Sequence, residues 1–178
     1  MFRGSYLKTN YASFMSWIDW GNPEAGVRDS FAQAALRTAD GAFLLGVMGQ
    51  HTAQAGKIYF PGGTPDPSDI KGSTVDLSAS VWREVKEETG LTAADVDVEP
   101  GWHTVFAGPQ IAHLKVMQAR EDAVTLRARI LEFMARQDPP ELGDIRIVRS
   151  LADIDPKMLP YVPVFLRDQW PASTDPKR

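Results

Sequence analysis

Glu84, Glu87 and Glu88 stand within one short run of the chain, flanked by Arg83 and Lys86. On a helix they share one arc of about 100°, because residues three and four apart are surface neighbours. At roughly 5–6 Å and an effective dielectric near 20, each pair repels by about 3 kcal/mol. In full solvent the penalty falls to a few tenths of a kcal/mol. Such a cluster is either a solvated acidic face, with Arg83 and Lys86 as counter-charges, or a seat for a cation. Hard divalent cations take oxygen ligands, and Mg²⁺ combines one or two carboxylates with water and substrate phosphate. Upstream, Tyr59-Phe60-Pro61-Gly62-Gly63 ends an apolar run in a tight turn, which brings bare backbone close to a ligand. A carbonyl from that turn would complement the acids.

The element that must hold the acids is a helix. Leu77, Val81 and Val85 fill the apolar arc beside them, with Trp82 at its edge. Glu88 falls on the seam, half buried, while Glu84 and Glu87 face a cleft. Gly90 suits the left-handed residue that ends a helix. Asp76 suits the N-cap, or the acidic third residue of a capping box begun by Ser73.

The run Arg83-Glu84-Val85-Lys86-Glu87-Glu88-Thr89-Gly90-Leu91 resembles the second half of the Nudix hydrolase box. The first half departs from it. Gly63 stands twenty positions before Arg83, with about six residues inserted across positions 64–72, a stretch of turn-forming residues. The seat of the first box glutamate holds Val75, and Asp76, Asp69 or Asp66 are the candidates to stand in for it. The resemblance implies an α/β fold, a Nudix-like α/β/α sandwich with a central mixed β-sheet. It implies a metal-dependent hydrolase that cleaves a diphosphate linkage in a nucleoside-diphosphate-type small molecule. Mg²⁺ or Mn²⁺ would be held by Glu84, Glu87, Glu88 and the Gly62 carbonyl, with Arg83 orienting a box carboxylate. Glu141, in the loop before the last core strand, would complete the metal site or act as base. Gly62, Gly63 and Lys57 are the candidate substrate contacts. A homodimer is a family-level expectation. The rival readings are a Nudix-like module that senses a nucleotide without cleaving it, and a purely structural acidic helix.

A chain of 178 residues fits one domain with a sizeable core. We divide it into an aromatic-rich extension (1–27), a single domain (28–170) and a disordered tail (171–178). The formal net charge of −4, with no run of Lys and Arg, argues against duplex nucleic acid as partner. The absence of cysteine excludes disulfides, thiolate nucleophiles and cysteine zinc sites. No long apolar run opens the chain, so neither a signal peptide nor a membrane span is expected, and the cytoplasm is the default compartment.

Along the chain, Tyr11 to Asp19 reads as a short helix with Phe14, Trp17 and Ile18 on one face, a flap over the core or a partner, or a stacking surface for a base. A hairpin follows, turning at Ala39-Asp40-Gly41, then a strand from Lys57 to Phe60. Ala93 to Pro100 is polar and acidic. Strands are expected over Trp102–Ala107 and Ile111–Gln118, with His103 and His113 in structural roles. An amphipathic helix spans 121–136, its arginines solvated or steering phosphates. A last strand covers Ile145–Val148, and a terminal helix runs from near Pro156 to Gln169, broken at Pro163. Core candidates are Phe43, Leu44, Leu45, Val47, Ile58, Phe60, Val81, Val85 and Val105.

Overall fold

The structure, a computed structural model, describes residues 4–24 and 26–170. The expected tail at 171–178 lies outside them. The first element is α1 (Tyr11–Asp19), capped by Asn10, whose side chain accepts from the Ser13 N–H at 2.9 Å. It buries no residue fully, and Phe14 and Trp17 stack on each other. Tyr11 and Trp20 are exposed, so this extension does not seal the core.

The frame is a mixed sheet built on β1 (Asp29–Arg37). β2 (Phe43–Met48) returns antiparallel, pairing Leu36 with Leu44, across a turn where Gly41 takes the positive φ that glycine tolerates. β3 (Ile58–Tyr59) pairs with β2, and β4 (Gly62–Gly63) with β1. A separate hairpin, β5 (Ile70–Lys71) and β6 (Thr74–Val75), precedes α2 (Leu77–Thr89). After β7 (Val96–Val98) and β8 (His103–Ala107), β9 (Gln110–Ala119) runs parallel to β1 over its whole length. α3 (Ala123–Met134), β10 (Leu142–Val148) and α4 (Tyr161–Gln169) complete the chain. The spine reads β10-β2-β1-β9-β7, and among the named strands every pairing other than β1 with β9 is antiparallel.

Alternate residues of β1 supply two cores. Ala32, Ala34 and Leu36 pack with Val81 and Val85 of α2 and with Leu126 and Ile130 of α3. Phe31 and Ala35 face the other way, onto Tyr161, Val162, Phe165 and Leu166 of α4. Two helices therefore cover one face and one helix the other, the expected α/β/α sandwich. Every core candidate is buried except Val47, which is half buried.

Several expectations are corrected. Residues 64–72 are not bare turn: Pro67–Asp69 form a 3₁₀ turn and the small hairpin follows. The polar stretch 93–100 contributes β7, an outer strand of the sheet. The terminal helix begins at Tyr161, not near Pro156, and Pro163 does not break it. That proline sits in the first turn, where its missing N–H would have had no helical partner. The arginines of α3 are tied to the protein: Arg127 binds the Ile145 carbonyl and Asp144, and Arg129 binds Asp95 and Glu121. Among the described residues, no helix is long and apolar enough to cross a membrane.

Candidate active site

α2 starts where the Asp76 carboxylate accepts the Ala79 N–H at 3.0 Å, so Asp76 is the N-cap and the Ser73 alternative falls away. It ends at Gly90, with φ +71°. A Cβ at Gly90 would also stand 2.6 Å from the Phe133 ring, so glycine is required there for space as well as for conformation. Val81 and Val85 press this helix onto the sheet, which carries its neighbouring acids to the edge of the Gly62–Gly63 turn.

Glu88 goes deeper than the seam position suggests: it is buried, at 4% exposure. One of its oxygens accepts the Gly62 N–H at 2.9 Å. Glu84 is partly buried beside Gly63, where an added Cβ would meet its Oε1 at 3.1 Å. That same oxygen accepts from Arg83 Nη1 at 2.7 Å. Glu87 is exposed, 3.5 Å from Arg83 Nη1.

Arg83 reaches back to the insertion. Its Nη2 donates to Asp69 Oδ2 at 3.0 Å and lies 3.6 Å from Asp66. Of the three candidates to replace the absent box glutamate, Asp69 is the one buried against Arg83. Asp76 is spent on its cap and on Lys71, 2.6 Å away. Asp66 and Asp69 close a capping box around the 3₁₀ turn, with Pro67 in its first position. The run Asp66-Pro67-Ser68-Asp69 carried that signal, an acid three residues before a second acid with proline between.

The electrostatics are those of a site short of positive charge. Burial pushes Glu88 well above the usual carboxylate range, and Glu141 and Glu84 push it further. Burial also raises Glu84, against the pull of Arg83, with Glu87 and Glu141 adding to the rise. Among the described residues, no cationic side chain pairs with Glu88. Glu141 therefore lies within electrostatic reach of both acids, in a loop anchored where its carbonyl accepts the Gly49 N–H at 2.8 Å. Tyr59 belongs to the same group. Burial raises its hydroxyl, followed by Glu88, Glu141 and Glu84. Sequence reasoning missed this residue, which is half buried and packs against both cores.

Lys57 is exposed, and no contact joins its side chain to the acids. The donor chemistry suits a hard divalent cation, since Glu84 and Glu88 each keep a second oxygen with no hydrogen bond among the described residues. The acids are not gathered into a cage, however. Among the described residues, no group of three or more His, Cys, Asp or Glu side chains converges as metal ligands.

A NUDIX domain family model matches residues 27–168. The fold is similar to that of the MutT protein from Methanosarcina mazei Go1, at 21% identity and a TM-score of 0.51, covering 80% of this chain and 93% of that one. It is likewise similar to the NUDIX domain of Shewanella oneidensis NrtR complexed with ADP ribose, at 16% identity and a TM-score of 0.51, covering 90% of this chain and 96% of that one. No match was found among curated proteins.

Proposed function

The chain belongs to the Nudix family, and on that premise we propose that it hydrolyses a diphosphate linkage in a nucleoside-diphosphate-type small molecule, with Mg²⁺ or Mn²⁺ as cofactor. One observation carries the reading. Glu88 is buried, lies within electrostatic reach of Glu84 and Glu141, and has a backbone N–H as its hydrogen-bond partner. A buried carboxylate without a cation is costly, so such a place is suited to a bound one.

Glu84, Glu87 and Glu88, with the Gly62 carbonyl, would hold the ion. Bound there, it would neutralise phosphoryl charge and acidify a water. The protein's own groups do the rest. Gly62 fixes one oxygen of Glu88 through its N–H, and Arg83 fixes one oxygen of Glu84, each leaving the other oxygen available. Asp69 holds the far side of the Arg83 guanidinium, so Arg83 orients carboxylates and is not a substrate contact. Glu141 and the box glutamates are the groups placed to accept a proton from the attacking water. Gly62 and Gly63 would let the diphosphate approach bare backbone. Lys57 would act only from the rim.

The test is a panel of nucleoside-diphosphate compounds incubated with the protein and Mg²⁺, then with chelator, with phosphate and nucleotide products measured. Metal-dependent cleavage of at least one compound is expected; no product from any would overturn the proposal. The second reading, nucleotide binding without cleavage, draws support from the absence of a three-acid cluster among the described residues. Tight binding with no product decides for it. We also place the protein in the cytoplasm, in keeping with a chain free of cysteine. A homodimer would use the exposed Tyr11 of α1 and Trp20 just after it, and sedimentation equilibrium tests it.

A further inference from the structure

The buried run of β1 from Phe31 to Leu36 is apolar except for Gln33, which is 2% exposed. Alternation puts Gln33 between Phe31 and Ala35, on the face that α4 covers and opposite α2. A buried amide costs free energy unless it is hydrogen-bonded, and an apolar side chain there would not carry that cost. Its partner is Tyr161, the first residue of α4 and fully buried, whose hydroxyl donates to Gln33 Oε1 at 2.9 Å.

The backbone lying against Gln33 gives this pair a use. Gln33 and Gly62 are register partners across β1 and β4. They approach so closely that a Cβ added at Gly62 would stand 2.6 Å from Gln33 Cα and 3.0 Å from its Cγ. Gly62 in turn gives its N–H to Glu88 at 2.9 Å. The order is Tyr161, Gln33, Gly62, Glu88, from a helix on one face of the sheet to a helix on the other. Burial pushes the Tyr161 hydroxyl well up against the pull of its bond to Gln33, and Tyr59, Asp29 and Glu88 add to the rise. Tyr161 therefore stands within electrostatic reach of the buried box acid.

The approach to α4 braces the same segment a second time. The Ile58 N–H donates to the Lys157 carbonyl at 3.1 Å, and the Leu159 N–H to the Ile58 carbonyl at 3.2 Å. Phe60 meets Phe165 edge-on at 5.3 Å. These contacts fix Ile58 and Phe60, the residues leading into the turn. The Tyr161 hydroxyl is the member of the group that can be removed without loss of packing.

We propose that Gln33 and Tyr161 are positioning residues for the candidate active site: bonded to each other against Gly62, they keep its N–H on Glu88 and its carbonyl in place for a cation. The consequence for the cation rests on the reading that Glu88 and the Gly62 carbonyl hold one. The hold on the N–H does not.

The test uses the full chain, the variant Tyr161→Phe, and the double variant that adds Gln33→Met. Phenylalanine keeps the ring, and methionine keeps an unbranched side chain without the amide. In chelator, exchange of the Gly62 amide proton is followed by NMR, with the amide of Leu114 in β9 reporting general loosening. Tyr161→Phe should speed Gly62 exchange about tenfold or more relative to Leu114. The double variant should recover the melting temperature, since no buried polar group is left unpaired, and should keep the fast Gly62 exchange. Calorimetry with Mg²⁺ should show ion binding weakened about tenfold in both variants, the lower end of what outer partners of a metal site supply. Should Gly62 exchange stay level with Leu114 in Tyr161→Phe, or recover along with the melting temperature in the double variant, the pair is core packing and the inference is wrong. Faster Gly62 exchange in a protein that binds no Mg²⁺ and cleaves no diphosphate would sink the hydrolase reading alone. Metal-dependent cleavage with Gly62 exchange and ion affinity unmoved by either variant would sink this inference alone.

Discussion

Asp69 Oδ2 lies 3.0 Å from Arg83 Nη2, although one residue belongs to a surface insertion and the other to a core helix. Asp69 is 3% exposed, so the pair is a buried tie between the insertion and the box. Asp69→Ala should cost about 1–3 kcal/mol, as expected for a hydrogen bond to a charged group. In a domain of this size that lowers Tm by roughly 2–10 °C. Turnover should fall about 10–100-fold, with a higher Mg²⁺ concentration needed for half-maximal rate, since Asp69 supports the groups that would hold the ion. Unchanged metal dependence would leave Asp69 with a structural role only.

Glu87 is the most exposed of the three box acids, its side chain 61% accessible. Glu87→Gln should therefore leave Tm within about 1–2 °C, as surface changes do. If Glu87 holds the cation, kcat should drop by about 10²-fold or more, the equivalent of several kcal/mol of lost charge stabilisation. Steady-state kinetics and a thermal melt separate the two effects. Full activity in this variant removes Glu87 from the proposed site.

The folded protein holds the Glu88 proton more tightly than the unfolded chain does, because burial, then Glu141 and Glu84, raise this carboxyl. The stability that proton confers is fully present below the unfolded glutamate value of ~4.3 and is lost as pH rises through the folded value. Glu88→Gln keeps an acceptor for the Gly62 N–H and cannot titrate. In chelator at pH 8 the variant should melt at least about 2 °C above the native protein, and near pH 4 the two should converge. Mg²⁺ at pH 8 should raise the native Tm and leave the variant's nearly unmoved. A native protein that gains stability relative to the variant between pH 5 and 8 in chelator contradicts the assignment.

Gly62 and Gly63 are adjacent and should respond differently to alanine. At Gly62 the added Cβ would stand 2.5 Å from the Ala32 carbonyl oxygen and 2.6 Å from the Gln33 Cα, at φ +139°. Backbone cannot yield there, so Gly62→Ala should cost about 1–3 kcal/mol or more. At Gly63 the first obstacle is the Glu84 Oε1 at 3.1 Å, and a carboxylate can swing aside. Gly63→Ala should keep Tm within about 2–4 °C, under ~1 kcal/mol, and still lower activity about tenfold or more by displacing Glu84. Paired melts and rates on the two variants check the contrast.

The helix of acids was legible because periodicity, a capping aspartate and a terminal glycine all agreed on it. So was the hairpin of β1 and β2, whose turn residues are unambiguous. The insertion was not, because its proline-aspartate run reads as turn until Arg83 is seen to pull Asp69 inward. β7 was hidden by Asp97 and Glu99, solvent-side acids that mask a strand buried mainly through Val96. The depth of Glu88 was also beyond pattern reading, since a seam position does not show how closely Gly62 will approach it. Tyr59 escaped because an aromatic between two apolar neighbours reads as core. It does pack against both cores, and only the acids near its hydroxyl set it apart.

The parallel match of β1 to β9 runs from Asp29 against Gln110 to Arg37 against Gln118. A chain emerging from the ribosome must therefore extend past residue 118 before its central strand gains both neighbours. Until then β1 has one unsatisfied edge, open to pairing with whatever strand is nearby. Contacts this distant in sequence also slow folding. Truncations ending before β9 should therefore aggregate, where a helical fragment of equal length would merely unwind.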